Sequence, residues 1–260
     1  MIICIYLCEG IVFMELSTFF KENSKAAIAM SGGVDSTYLL AKAAEAGVDI
    51  RAYFVKSAFQ PEFELRDAIA MAECCGVRLE VLNVDILSNH DVRANPHDRC
   101  YYCKKAIFSA IIEAALQDGY SLIVDGTNAS DDVGDRPGTR ALCELEVRSP
   151  LRECGLTKDE IRRHSHEMGL KTASKPAYAC LATRIPTGEA ITDETLARIE
   201  GAEEELFKLG YTDFRIRVFS GAARIQLPGE QIARAAVERD SIIKAIEPWF
   251  HDIFLDLKGR

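Results

Sequence analysis

The chain has 260 residues, with 31 basic against 40 acidic side chains and a formal charge of −9. That length allows one or two domains of roughly 150 residues, each able to bury a core. An apolar content of 48% excludes a disordered chain, and the acid excess argues against a nucleic-acid partner, which needs a basic surface.

Residues 1–13, MIICIYLCEGIVF, are apolar but lack a basic flank and are interrupted by Glu9. They read as neither signal peptide nor anchor. Met14 begins MELSTFFKENSK, an ordinary helical opening, so 1–13 are expected to be an untranslated or disordered leader. AAIAM (26–30) predicts a buried strand, followed by a Gly-rich turn and the helical run TYLLAKAAEA, stopped at Gly47. DIRAYFVKS (49–57) predicts a strand and PEFELRDAIAMAECC (61–75) a helix, with Pro61 near its first turn and Gly76 past its end. RLEVLNVD (78–85) is a strand, YYCKKAIFSAIIEAALQDG (101–119) a helix and SLIVDGT (121–127) a strand. Strands separated by helices pair in parallel through right-handed crossovers. The fold class is therefore α/β, a doubly wound parallel sheet whose ligands sit beyond the carboxyl ends of the strands.

Residues 128–156 lack clear periodicity and hold Gly134, Pro137, Gly138, Pro150 and Gly155, which predicts loop over the sheet edge. Thr157 and Glu160 form a capping box that opens a helix to Met168. KTASKPAYACLATRIPTGE (171–189) is again irregular, and such stretches in a compact domain are usually functional or disordered. A smaller C-terminal α+β unit is expected from Pro186. It comprises a helix from Thr192 to Gly210, a hairpin of FRIRVFS (214–220) and ARIQL (223–227), a helix over 230–246 and a last strand, DIFLDL. The expected domains are thus 14–185 and 186–260. No run reaches the roughly 18 apolar residues that span a bilayer, so no membrane partner is expected.

Ser31-Gly32-Gly33-Val34-Asp35-Ser36 lies between the first strand and its helix. Two glycines let the backbone turn back and approach a ligand closely. The N–H groups of the turn then converge in front of the helix's positive end, a pyrophosphate site to which Ser31 and Ser36 add hydroxyls. Asp35 cannot help bind a bare anion, so it implies Mg²⁺ or an orienting role. Neither the Walker nor the dinucleotide pattern is present. The bland alternative is a tight strand–helix turn. The hexapeptide resembles the PP-loop of the ATP pyrophosphatases, which cleave ATP between the α and β phosphates and adenylylate a substrate.

Nine cysteines are odd in number and too dilute for a disulfide scaffold, which points to a reducing cytoplasm with some thiols doing chemistry. Cys100 and Cys103 form a C-x-x-C at a helix head, where the dipole with Arg99, Lys104 and Lys105 is expected to push them toward thiolate. Cys180 adds a third thiol. Three thiolates leave one metal position open, and an open iron can carry an extra sulfide. The alternative is three buried hydrophobes. Cys74 and Cys75 read as core, Cys143 and Cys154 as loop cysteines without partners at ligand spacing, and Cys4 and Cys8 lie in the leader.

Asp125, Gly126, Thr127 and Asn128 follow a strand and suit a nucleotide rim, with Asp131 as a metal holder; a capped turn is the alternative. Arg215 and Arg217 lie two apart on a strand, hence on one face, and guanidinium forks suit a monoester phosphate. Arg224 on the facing strand can join them, with Glu200 or Glu203 orienting the set. A solvated charged face accounts for the same spacing.

The PP-loop, NPHDRCYYCKKAIF (95–108), DGTNASD (125–131), RSPLRECGLTKDEIR (148–162), ACLATRIP (179–186) and the arginine strands follow in that order. Together they resemble the LarE family, ATP-dependent sulfur transferases that mature the nickel-pincer nucleotide of lactate racemase. The resemblance covers nearly all of the chain after Met14. It implies a small nucleotide substrate, pyridinium-3,5-biscarboxylic acid mononucleotide, whose carboxylates are adenylylated and replaced by thiocarboxylates. ATP and Mg²⁺ are implied, as are a homo-oligomer and transfer of product to a downstream nickel-insertion protein. Members take sulfur either from the cysteine matching Cys180, which becomes dehydroalanine, or from a [4Fe-4S] cluster on three cysteines. Retention of Cys100, Cys103 and Cys180 together favours the cluster. The competing functions are a tRNA thiolase, which wants a basic surface or an added RNA-binding domain, and an amide-forming synthetase of the NAD synthetase kind, which needs no cysteines at its site.

Overall fold

The structure is a computed structural model that describes residues 14–131 and 137–260. The expected leader with Cys4 and Cys8, and Gly134, lie outside the described residues. The first part of the chain runs α1 (Leu16–Glu22), β1 (Lys25–Ala29), α2 (Val34–Glu45), β2 (Asp49–Lys56), α3 (Glu62–Cys74), β3 (Leu79–Asn83), α4 (His90–Arg93), α5 (Arg99–Gln117) and β4 (Ile123–Val124). The four strands form one parallel sheet in the order β3-β2-β1-β4.

Successive strand side chains point to opposite faces, so apolar residues in unbroken runs feed two cores. Ile28, Ala52, Phe54 and Val124 pack with Phe19, Leu39 and Met71 of α1, α2 and α3. Their neighbours Ala27, Tyr53, Val55 and Ile123 pack with Phe108, Ile111 and Ala115 of α5. Helices on both faces make the sheet doubly wound. From β1 the chain steps to β2 on one side, while β4 adds on the other. The strand order therefore reverses between β1 and β4, where a crevice opens at the carboxyl ends. The Ser31–Ser36 loop leaves β1 there, and residues 125–128 leave β4.

The stretch expected to be loop contains two helices, α6 (Pro137–Glu144) and α7 (Pro150–Glu153). Its prolines head these helices instead of breaking them, because the first helical position has no N–H bond to lose. The capping box is present: Thr157 and Glu160 exchange bonds of 2.9 and 3.4 Å ahead of α8 (Lys158–Glu167). Cys74 is exposed, not core. Cys143 lies in α6 and Cys154 is buried at the end of α7.

The rest of the chain holds α9 (Asp193–Lys208), β5 (Arg215–Phe219), β6 (Ala222–Gln226), α10 (Gly229–Val237), α11 (Arg239–Ile246) and β7 (Ile253–Leu255). Thr192 caps α9 through Thr195 N–H at 3.1 Å. β5 and β6 form the expected hairpin, and β7 adds to β6 in parallel. The single helix expected over 230–246 is broken at Glu238, whose carboxylate accepts from Tyr211 Oη at 2.8 Å and Arg234 Nε at 3.0 Å. The core under this sheet includes Ile199, Ile216, Ile225 and Phe250. It also takes in Phe59, Val92 and Leu181 from earlier in the chain, which anchors the segment carrying Cys180. Among the described residues, no helix is long and apolar enough to cross a membrane.

Candidate nucleotide and thiol site

Gly32 turns the loop after β1 with φ +72°, and a Cβ there would stand 2.6 Å from the Glu64 carbonyl oxygen. Both facts demand glycine. Ser36 Oγ accepts from Ser31 N–H at 3.2 Å, lies 3.0 Å from Ser31 Oγ and donates to Gly33 O at 3.3 Å, so the loop closes on itself. Val34 and Asp35 open α2. Gly126 lets the end of β4 touch this turn, since a Cβ there would lie 2.9 Å from Ser36 N. Asp125 uses both carboxylate oxygens internally, on Thr127 N–H at 3.2 Å, Thr127 Oγ1 at 2.6 Å and Ser149 Oγ at 2.6 Å.

A cavity of about 430 Å³ opens over the loop, lined by Ser31, Gly33, Asp35, Ser36, Gly126 and Thr127. Lys104, Lys158, Arg162 and Lys175 also line it, a cationic wall suited to phosphates. None of these four had an assigned ligand role from sequence. Lys158 and Arg162 lie one helical turn apart inside the RSPLRECGLTKDEIR motif, a spacing that could have found them. Asp35 is held by Lys158 Nζ at 2.5 Å and receives Asn128 Nδ2 at 3.4 Å. A single carboxylate beside nucleotide phosphates is a fitting ligand for Mg²⁺. Asp131, in contrast, is exposed and its carboxylate caps Asn128 N–H at 2.9 Å, outside the cavity lining. Glu64 lines the cavity as well, and burial pushes its carboxyl up to about 7 against the opposing charges of Lys175 and Arg184.

A second cleft of about 810 Å³ lies on the other side of the Lys175–Tyr178 segment, which lines both. Its walls include Phe63, Phe207, Glu200, Glu203 and Arg215. Arg215 is buried, and burial with the neighbouring Arg184 and Arg260 brings its guanidinium down to about 10. It forms a long ion pair with Asp213 at 4.0 Å and donates to the carbonyls of Phe214 and Ala177. Arg217 shares the strand face but lines neither cleft, and its fork engages Gln226 Oε1 at 2.7 Å and the Thr183 carbonyl. Arg224 is taken by Asp256 at 2.6 Å. Glu200 accepts from Glu62 N–H at 2.8 Å. Glu203 makes no hydrogen bond to Arg215 or Arg217 and acts on them only through its charge: both its oxygens receive Arg184, at 3.0 and 3.1 Å, and it also accepts from Tyr178 Oη and Ile216 N–H. Arg184, quoted in a motif but given no role from sequence, is the better-buried partner.

Cys180 lines the cavity over the Ser31–Ser36 loop. Cys103 packs against the same core as Cys180, and Cys100 is exposed at the head of α5. The helix head does not deliver the expected thiolates at Cys103: burial, then the facing Cys180 and Cys100, pushes its thiol up to about 12. Burial raises Cys180 too, against the pull of Arg99. Cys103 and Cys180 thus share one core, with Cys100 one helical turn away from Cys103 at the start of α5. Among the described residues, no three Cys, His, Asp or Glu converge tightly enough for a single metal ion. In donor chemistry three thiols are a set that suits an iron–sulfur cluster.

No protein-family model matches the chain. It is 40% identical over 253 residues to an uncharacterised protein of Synechocystis sp., covering 94% of this chain and 93% of that one. It is 31% identical over 242 residues to the pyridinium-3,5-bisthiocarboxylic acid mononucleotide synthase of Lactiplantibacillus plantarum, covering 92% and 88%. The tRNA-specific 2-thiouridylase MnmA of Streptomyces avermitilis is 28% identical over 191 residues, covering 57% of this chain and 50% of that one.

Proposed function

The chain belongs to the LarE family of ATP-dependent sulfur transferases within the PP-loop superfamily, and from that premise we propose that it makes pyridinium-3,5-bisthiocarboxylic acid mononucleotide from the biscarboxylic acid. The observation that carries the reading is that Cys180 lines the same cavity as Ser31, Gly33, Asp35 and Ser36, which supports reading that cavity as the place where adenylylation and sulfur transfer meet.

A carboxylate is a poor electrophile, because its leaving group would be oxide. Its oxygen first attacks the α-phosphorus of ATP while the bond to pyrophosphate breaks. Loop N–H groups, Ser31, Ser36, Lys158 and Lys175 take up charge on the departing pyrophosphate. Mg²⁺ held by Asp35 and the phosphates would neutralise further charge. The mononucleotide's phosphate is assigned to Arg215 in the larger cleft, with Arg217 behind it. Arg215 is a buried cation whose ion pair with Asp213 is long, at 4.0 Å, and an anion there offsets the cost of its burial. Sulfur then attacks the acyl adenylate and AMP leaves. Where Cys180 supplies its own sulfur, the thiol loses its proton, Sγ bonds the carbonyl carbon as AMP leaves, and β-elimination then removes the Cα proton, forms the Cα=Cβ bond of dehydroalanine and breaks Cβ–Sγ, its electron pair staying on the thiocarboxylate. Cys100, Cys103 and Cys180 are proposed to hold a [4Fe-4S] cluster, which would supply sulfide from its open iron. A homo-oligomer, and handover to a nickel-inserting protein, follow from the family reading.

The likeness to the thiouridylase covers 57% of the chain and supports shared nucleotide chemistry. The test is incubation of the full chain with ATP, Mg²⁺, sulfide and the biscarboxylic mononucleotide under anaerobic conditions. Pyrophosphate release and a sulfur-for-oxygen mass change in the mononucleotide are expected. Pyrophosphate release with tRNA but not with the mononucleotide would select the thiolase reading instead.

A further inference from the structure

The segment after Cys180 is a short 3-10 turn, Leu181–Arg184, in which Thr183 N–H bonds Cys180 O at 3.0 Å and Ile185 N–H bonds Ala182 O at 3.3 Å, and a turn this short leaves acceptor capacity on its carbonyls for further donors. They find them in side chains. Arg184 Nη1 donates to Ala179 O at 2.7 Å and Cys180 O at 3.3 Å. Arg99 Nη1 donates to Ala182 O at 3.1 Å, and Arg217 reaches Thr183 O. Asn95 Nδ2 donates to Pro186 O at 2.8 Å. Of these four side chains Arg184 is the one that reaches the carbonyl of Cys180, joining the turn bond from Thr183 N–H at 3.0 Å. It also donates to Thr183 Oγ1 at 2.9 Å, and that hydroxyl donates onward to Cys180 O at 2.8 Å.

We propose that Arg184 is a positioning residue for sulfur transfer, its guanidinium locking the Cys180 backbone so that the thiol faces the nucleotide cavity. Glu203 makes this lock rigid. It takes Arg184 in a two-pronged pair whose side chains are 0% and 2% exposed, and it is itself fixed by Ile216 N–H at 2.9 Å. A planar fork held on one edge by a carboxylate presents its remaining N–H groups in a set direction, which a lysine ammonium does not. The Arg184–Glu203 pair thereby ties the Cys180 segment to α9 and β5, the elements that carry Arg215 and part of the larger cleft. This inference rests on the reading of Cys180 as the sulfur site and adds the residue that aims it.

Two variants test it in the full-length protein. Arg184→Lys keeps a cation against Glu203 but loses the fork. Thr183→Val removes the hydroxyl bridge and leaves the buried pair intact. The readouts are single-turnover pyrophosphate release, thiolation of the mononucleotide, and the rate at which iodoacetamide alkylates Cys180, followed by mass spectrometry. Expected are a tenfold or greater loss of thiolation relative to pyrophosphate release in Arg184→Lys, a severalfold loss in Thr183→Val, and an altered alkylation rate at Cys180 in both. Equal losses of pyrophosphate release and thiolation would make Arg184 merely structural, and thiolation within twofold of the parent would overturn the proposal. If Arg184→Lys fails to fold, Thr183→Val decides alone. Cys180→Ala separates the layers: a variant that still thiolates defeats the sulfur-site reading, whereas an inactive one beside unaffected Arg184 and Thr183 variants defeats only this inference.

Discussion

Lys158, the first residue of α8, sets its ammonium 2.5 Å from the carboxylate of Asp35 in the first turn of α2, across 123 residues of sequence. The pair lines one side of the cavity over the Ser31–Ser36 loop and keeps an acid next to that loop. Asp35→Ala is expected to abolish ATP-dependent pyrophosphate release while the protein stays folded, because the change touches only a partly exposed pair. Lys158→Met should weaken ATP binding roughly ten- to hundredfold, the worth of a charge-assisted bond of ~1.5–3 kcal/mol. Isothermal titration with a non-hydrolysable ATP analogue checks the second, and near-parental pyrophosphate release in Asp35→Ala would remove the loop from the mechanism.

Sulfur is expected from a cluster on Cys100, Cys103 and Cys180. Protein purified without oxygen should contain iron and sulfide and absorb in the visible. Each single Cys→Ala change should lose both that absorbance and thiolation while pyrophosphate is still released. A Cys180 peptide lighter by hydrogen sulfide after reaction, in iron-free protein, would instead make Cys180 a single-use donor.

Arg215→Ala should raise KM for the mononucleotide about ten- to hundredfold and leave ATP affinity nearly unchanged. Arg217→Ala should act less on KM and more on thiolation, since its fork holds the Thr183 carbonyl and lines neither cleft. Loss of ATP affinity with normal mononucleotide binding would reassign the larger cleft.

Glu64 supplies a pH signature. Burial lifts its carboxyl from 4.5 to about 7 in the folded protein. Folded protein therefore holds a proton that unfolded protein has released between those values, so stability falls as pH rises from about 4.5 to 7 and levels off above. Glu64→Gln should lack this fall, gaining up to about 3 kcal/mol over the parent at pH 8 relative to pH 4. Urea unfolding at the two pH values measures the difference, and parallel curves for parent and variant would refute it.

Glu203→Ala strands the guanidinium of Arg184 in the core. A cost of about 3–5 kcal/mol is expected, read as a drop in urea midpoint at constant m-value. A loss below about 1 kcal/mol would show that water or another side chain reaches Arg184.

Much of the fold is local and was legible as such. The two-glycine turn after β1, the Thr157–Glu160 box and the hairpin from Arg215 to Gln226 each depend on residues a few positions apart. The unbroken apolar runs of β1 and β2 announce a sheet covered on both faces. The prolines at 137 and 150 misled because proline marks loops and helix starts equally, and the choice depends on whether the following residues find an apolar surface. The order of motifs located the loop, the three cysteines and the arginine strand, but not which charges neutralise one another. Those pairings join residues far apart in the chain: Arg184 with Glu203 across 19 positions, Arg217 with Thr183 across 34, Arg99 with Ala182 across 83. A guanidinium bonds whichever buried acceptor the packing brings to it. The state of the thiols was likewise a tertiary matter. A helix head and nearby cations are sequence-local and favour thiolate, whereas the burial that outweighs them at Cys103 exists only once α5 and the Cys180 segment have packed on the same core.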